Sequence, residues 1–287
     1  MEHRDLMTTY WEDYSLLDSG NHRKLERYGE YILIRPDTQA LWKPNNVELW
    51  KTAHAEFAWK DGKGSWVTYS NIPESWEMSW GSYRFNIKTT SFKHTGIFPE
   101  QARNWEWLAE RVGALREPAI LNLFAYTGVS SMVATAHGAR VTHLDASRQS
   151  IAWAKENAEL SKISEDSTRY ILDDALKFTR RELRRGVKYD GIVLDPPAFG
   201  RGPKGEVWHI EESLSMLMEV LRGLQKHEAG SFLLLNGYAS GYSPLSFAQL
   251  VEGIFGIQPH GEYGELRIKE ESSSRAISSG IYCRFIR

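Results

Sequence analysis

From residue 118 onward, short apolar runs are separated by longer amphipathic stretches. The runs at 120–125, 141–144, 170–172, 191–194 and 231–235 are continuous enough in Ile, Leu, Val and Phe to predict buried strands. Between them the spacing predicts helices over 130–137, 148–160, 175–185 and 207–227, the first stopped by Gly138. Strands alternating with helices of this length predict a parallel sheet covered on both faces. The last two strands, 264–270 and 281–286, follow each other without a long helix, which predicts an antiparallel hairpin at the sheet edge. The expected fold class is α/β: a doubly wound, mostly parallel, seven-stranded sheet with an antiparallel C-terminal hairpin.

Residues 28–88 have a different rhythm. Tyr31-Ile32-Leu33-Ile34-Arg35 stops at Pro36-Asp37, and Ser65-Trp66-Val67-Thr68-Tyr69 follows the turn Asp61-Gly62-Lys63-Gly64. Tyr83-Arg84-Phe85-Asn86-Ile87 alternates ring or branched side chains with polar ones. These are the marks of a small β-rich module. The tryptophans divide the chain in the same way, since nine of the 11 lie within residues 1–107. Two domains are expected: a Trp-rich β module over 1–95, a candidate for substrate recognition, and a larger domain over 96–287.

Composition narrows the class. With 287 residues the chain buries a sizeable core without metals or disulfides. A net charge of −2 excludes a histone-like electrostatic clamp. The single cysteine, Cys283, excludes a disulfide framework and a cysteine-rich zinc site and fits a reducing compartment; no metal is expected. No apolar run approaches the roughly 18 residues of a membrane span, the best being Phe232-Leu233-Leu234-Leu235. Met1-Glu2-His3-Arg4-Asp5 lacks the layout of a secretion signal. A cytoplasmic location without membrane attachment is expected.

In a doubly wound sheet, ligands gather beyond the carboxyl ends of the strands. Four such ends carry chemistry. The first is Asn122-Leu123-Phe124-Ala125-Tyr126-Thr127-Gly128, where Gly128 allows close backbone approach before a helix start. It is neither a G-x-G-x-x-G fingerprint nor a phosphate loop. The second is Asp145, about 20 residues downstream, where a carboxylate accepts from a ribose diol or caps the next helix. In the third, Asp173-Asp174-Ala175, one carboxylate suits an adenine amino group and the other a cap. The fourth is Asp195-Pro196-Pro197-Ala198-Phe199. Its prolines fix an extended turn and leave carbonyls and the Asp195 carboxylate toward the pocket, with Phe199 available to stack on a planar substrate.

Together these residues resemble the class I S-adenosylmethionine-dependent methyltransferases over roughly 93–287, in particular the large-subunit ribosomal RNA methyltransferases of the cytosine-C5 and guanine-N7 type. The resemblance implies S-adenosyl-L-methionine as cofactor and RNA as partner. It implies that Phe124, Ala125, Tyr126, Thr127 and Gly128 flank the methionine part of the cofactor. Asp145 and Ala146 would meet the ribose, and Asp173, Asp174 and Ala175 the adenine. The acceptor would face Asp195, Pro196, Pro197 and Phe199 as catalytic residues. Lys93-His94-Thr95-Gly96-Ile97-Phe98-Pro99-Glu100-Gln101 is similar to the segment that such enzymes set against the cofactor, which adds Phe98 and Gln101. Pro99 suits a first helical position.

The sequence also departs from that family. Methylation of a pyrimidine carbon requires a thiolate that adds to the ring first. The stretch after the fifth strand, Leu235-Asn236-Gly237-Tyr238-Ala239-Ser240, has no cysteine, so a nitrogen or oxygen acceptor is expected instead. Asn236 and Tyr238 are pocket candidates, and Arg201 and Lys204 suit a substrate phosphate or carboxylate. Residues 1–110 hold 13 basic and 16 acidic side chains, which argues against a dominant phosphate-binding role there. The alternatives are a small-molecule or protein substrate and, from another class, a module that binds cofactor or RNA without turnover.

Overall fold

The structure, a computed structural model, describes residues 1–60, 63–238 and 241–287; the turn residues Asp61-Gly62 and the pair Ala239-Ser240 lie outside the described residues. The chain forms two units. The first comprises Met1–Leu6, Gln101–Leu266 and Ser279–Arg287, and the second Met7–Glu100 and Arg267–Ser278. The sequence boundary at 95/96 is drawn shortly before Gln101 and does not assign the two outlying segments to these units.

In chain order the strands open with β1 (Glu2–His3), β2 (Leu6–Met7), β3 (Tyr14–Gly20), β4 (Arg23–Tyr28) and β5 (Tyr31–Pro36). They continue with β6 (Ala55–Lys60), β7 (Lys63–Thr68), β8 (Ser75–Trp80) and β9 (Tyr83–Lys88). A 3-10 turn, Pro99–Gln101, leads into α1 (Ala102–Gly113). Then come β10 (Ala119–Leu123), α2 (Val129–Ala136), β11 (Arg140–Asp145), α3 (Arg148–Leu160), β12 (Thr168–Leu172) and α4 (Ala175–Arg184). The chain closes with β13 (Gly191–Leu194), β14 (Phe199–Arg201), β15 (Val207–His209), α5 (Ile210–Leu224), β16 (Phe232–Gly237), α6 (Pro244–Phe255), β17 (Glu262–Lys269) and β18 (Ala276–Ile286).

The large sheet is mostly parallel and runs β1-β17-β18-β16-β13-β10-β11-β12, with β2 also on β17. It has nine strands, because two dipeptide strands join the expected seven. β10 pairs in parallel with β11 on one side and β13 on the other, whereas β16 and β18 are antiparallel. Every residue of β13 and β16 is buried, as central parallel strands require. Gly191 makes room for its neighbour, since a Cβ there would lie 2.2 Å from the Phe232 ring. The helices bury one stripe each: α1 buries Trp105, Leu108 and Val112, and α5 buries Leu214, Leu217, Met218 and Leu221. Each such side chain contributes about 1.5–3 kcal/mol of burial. The chain leaves β10 toward β11 and β12, then returns to β13 on the opposite flank. That reversal is a topological switch point, where open α/β sheets bind ligands beyond the strands' carboxyl ends, here those of β10 and β13.

The second unit holds a five-stranded sheet, β3-β4-β5-β6-β7, and the hairpin β8-β9. Of its seven tryptophans, Trp11 and Trp76 are buried, Trp59 is exposed, and the rest lie between. Several indoles pin loops through their N–H: Trp50 donates to Asp18 at 2.8 Å, Trp42 to Ser19 at 3.0 Å and Trp76 to the Tyr28 carbonyl at 2.9 Å. Trp107 packs edge-on against Phe232, inside the first unit.

Candidate active site

Beyond Leu123 the chain makes a turn that few side chains tolerate. Phe124, Tyr126 and Gly128 have φ of 55°, 48° and 87°. For the two residues that carry a Cβ this costs of order 1–2 kcal/mol each. The surrounding structure holds the turn in place. The Ala125 N–H reaches the Leu144 carbonyl at 3.0 Å, the Tyr126 N–H reaches Asp145 Oδ2 at 2.8 Å, and Asn157 donates to the Thr127 carbonyl at 3.0 Å. A Cβ on Gly128 would meet Ala154 at 2.8 Å, so glycine is required there for space as well as for φ. Below the turn, Asn122 donates to Ser131, and Ser131 contacts His143 Nδ1 at 3.0 Å. Burial lowers the His143 pKa to about 3 and leaves its Nε2 unpartnered.

Asp145 ends β11 and ties this turn to the next. Its Oδ1 accepts from the Ser147 N–H and its Oδ2 from the Tyr126 N–H, both at 2.8 Å. Burial raises its pKa, backbone N–H groups oppose the rise, and no cation is among the groups that set it. The cap of α3 is Ser147, not Asp145. Ala146 is half-buried between them. At the end of β12, Asp174 caps α4 by accepting from the Lys177 N–H at 2.8 Å, and Ala175 begins that helix buried. Asp173 accepts from the Asp174 N–H and pairs with Arg181, while its own N–H reaches the Asp145 carbonyl at 3.2 Å. A carboxylate has about four acceptor positions, so a single cap bond does not exhaust Asp174.

Asp195 follows β13, its N–H pointing to the Leu123 carbonyl at 3.4 Å, and Gln101 Nε2 donates to its Oδ2 at 3.4 Å. Beyond Pro196 the turn differs from the expected open set of carbonyls. The Pro197 carbonyl accepts from the Trp208 indole at 2.7 Å, and the Ala198 carbonyl from the Ile210 N–H at 3.0 Å. These bonds draw 199–209 into the ribbon β14-β15, so the helix expected from residue 207 begins at Ile210. Trp208 also packs on Phe124, with centroids 4.8 Å apart, and thereby joins the first and fourth motifs. Phe199 is exposed on the ribbon, with the Arg201 guanidinium 5.9 Å from its ring centre and His209 on the same ring. Lys204 is exposed at the ribbon's tip.

Asn236 lies one residue before the end of β16, buried, and accepts from Asn104 at 2.8 Å. Tyr238 is half-buried beyond it. Phe98 lies in the second unit against His94. Cys283 is buried on β18 opposite Leu235, and burial pushes its thiol up to about 12, which removes it as a nucleophile at neutral pH. The sequence reading missed Asn104, Trp208 and Arg284. Trp208 had a signal, as one of two tryptophans beyond residue 107. The other two had none. Among the described residues no group of His, Cys, Asp or Glu could hold a metal, and no helix is long and apolar enough to cross a membrane.

A doubly wound sheet with a strained glycine turn, a carboxylate one strand over and a proline-braced aspartate at the switch point has the layout of a nucleoside-cofactor site. Residues 54–224 match the family model described as S-adenosylmethionine-dependent methyltransferase, and the chain belongs to that family. A crystal structure of the SAM-dependent methyltransferase from Agrobacterium tumefaciens is 38% identical, covers 99% of this chain and 95% of its own, and has a TM-score of 0.92. Ribosomal RNA large subunit methyltransferase I of Aeromonas salmonicida is 32% identical over 142 residues, 49% of this chain and 32% of that protein. Methyltransferase K/L of Shewanella sp. (strain MR-4) is 33% identical over 125 residues, 43% of this chain and 17% of that protein. The chain therefore spans about a sixth to a third of the length of these curated relatives. S-adenosylmethionine is the cofactor of the family. The site's chemistry fits it: Asp145 is half-buried at the end of β11 with no cation beside it among the described residues, which suits donation from a ribose diol.

Proposed function

We propose that this enzyme methylates a nitrogen or oxygen of a ribosomal RNA nucleotide without a covalent cysteine intermediate. The observation that carries the reading is the placement of Asp195 beside the Phe124–Gly128 turn at the sheet's switch point, with the one cysteine buried and protonated. The cofactor, when bound, supplies an electrophilic methyl carbon. Phe124, Ala125, Tyr126, Thr127 and Gly128 would hold its amino-acid end, Asp145 and Ala146 its ribose, and Asp174 and Ala175 its adenine. Asp195 would accept a hydrogen bond from the acceptor's N–H or O–H and orient its lone pair in line, while Pro196 and Pro197 keep the carboxylate from swinging away. Phe199 would stack on the acceptor's ring, and Arg201 and Lys204 would meet the flanking phosphate. Exposed Trp59 is the stacking candidate of the second unit. This substrate carries a cytoplasmic location with it.

The test uses tritiated S-adenosylmethionine and ribosomal RNA extracted from cells lacking the protein. The native chain is expected to transfer label, and Asp195→Ala to abolish transfer while S-adenosylhomocysteine affinity stays within a few-fold. An unchanged nucleoside profile in those cells, read by mass spectrometry, would overturn the RNA substrate in favour of a small molecule or protein.

A further inference from the structure

We propose that Arg284 is a positioning residue: it fixes, through Asn104, which end of the Gln101 amide faces Asp195. The inference rests on Asp195 facing the acceptor, and it adds residues that no motif marks. All its members belong to the first unit, and Gln101, Asn104, Asn236 and Arg284 are buried.

Donors and acceptors decide the orientation of each amide. A guanidinium can only donate. Arg284 is anchored at one end by Glu262, which accepts from its Nε at 3.2 Å and its Nη2 at 2.8 Å. It also borders a cavity of about 290 Å³ shared with Arg4, Glu106 and Trp107, so the ion pair is not sealed in the core. Its Nη1 donates to Asn104 Oδ1 at 3.0 Å. That contact dictates which end of the Asn104 amide is oxygen. The NH2 end is therefore turned to the two remaining neighbours, donating to Gln101 Oε1 at 3.1 Å and to Asn236 Oδ1 at 2.8 Å. With its oxygen engaged, Gln101 presents its NH2 to Asp195. By the same step Asn236 also has its oxygen engaged, and its remaining end is a donor. Arg284 as obligate donor at one end and the Asp195 carboxylate as obligate acceptor at the other admit this one polarity, since a Gln101 oxygen facing Asp195 would repel the carboxylate. The relay thus sets one polarity over several side chains, and the low-dielectric surroundings strengthen each bond in it.

The polarity can be read directly in protein labelled with 15N on glutamine and asparagine. The chain has six glutamines, and Gln101→Leu identifies the Gln101 side-chain signal by its loss. In the otherwise native chain, Asp195→Ala is expected to shift the Gln101 NH2 signal. Asn104→Asp still accepts from Arg284 but cannot donate to Gln101, so in that background the response to Asp195→Ala should be lost. With Asp195→Ala removing the acceptor at the far end, Arg284→Lys keeps an obligate donor and should leave a single Gln101 signal, whereas Arg284→Gln can present either end and should double it. A response that persists in Asn104→Asp, or a single signal in Arg284→Gln combined with Asp195→Ala, would overturn the proposal. Should Asn104→Asp fail to fold, the Arg284 pair still decides. S-adenosylhomocysteine binding on the same samples tests the cofactor reading separately: its absence with an intact amide response would sink the function and leave the relay standing.

Discussion

Two carboxylates, buried Glu26 and half-buried Asp145, have opposite fates. Glu26 on β4 has no exposure, yet Arg35 donates to it from Nε at 2.7 Å and Nη2 at 2.8 Å, Lys24 lies 3.4 Å away and Tyr14 donates at 2.8 Å. Despite desolvation, these partners hold its pKa down to about 2. Asp145 of the first unit is half-buried, accepts backbone N–H groups alone among the described residues, and has its pKa raised by burial. A buried charge with its cation beside it is complete and serves the fold. A half-buried charge without one has unused attraction for a ligand.

The largest effect is expected from removing one partner of Glu26. Arg35→Met should destabilise the protein by about 3–5 kcal/mol in urea unfolding at pH 7, because Glu26 is left without its main partner. The double variant Arg35→Met with Glu26→Leu should recover most of that loss. Equal destabilisation of single and double variants would mean that Glu26 is not balanced by Arg35. At the other carboxylate the effect should appear in binding: Asp145→Ala is expected to weaken S-adenosylhomocysteine by at least about tenfold in calorimetry, the range for losing hydrogen bonds to a charged group. Unaltered affinity would place the ribose elsewhere.

Glu100 sharpens the contrast, because it is a buried carboxyl of the second unit that burial raises from an ordinary 4.5 to about 7. Folded, it holds its proton more tightly than unfolded, so its contribution to stability is complete below pH 4.5 and fades as pH rises toward 7. Glu26 runs the other way, contributing above 4.5 and losing that contribution as pH falls toward 2. Glu100→Gln should flatten the decline in melting temperature between pH 5 and about 7.5 while leaving the acid limb intact. A decline that survives the substitution would assign it to another group. The smallest effect is expected at the surface: Trp59→Ala should change stability by no more than about 0.5 kcal/mol.

The first unit was legible wherever burial covers both faces of a strand. Phe232-Leu233-Leu234-Leu235 and Ile192-Val193-Leu194 carry no polar interruption, so their assignment needed no partner information. β1 and β2 were not legible, because two residues cannot display a period. The β14-β15 ribbon was hidden for another reason: bonds from Trp208 and Ile210 to the Pro197 and Ala198 carbonyls create it, and nothing local in Val207-Trp208-His209 requires it. The site divides similarly. Asp145 and Asp195 sit directly after apolar runs, where position alone singles them out. Asn104 and Arg284 meet across 180 residues, and neither stands in a motif.

The uneven placement of indoles has a practical side. The second unit carries Trp11, Trp42, Trp50, Trp59, Trp66, Trp76 and Trp80, so steady-state emission from the intact chain reports mainly on the β module. Of the four remaining fluorophores, Trp208 touches Phe124 and Trp153 lies against Tyr126. Replacing the seven with phenylalanine, where the module tolerates it, would leave a protein whose fluorescence watches the glycine turn from two sides.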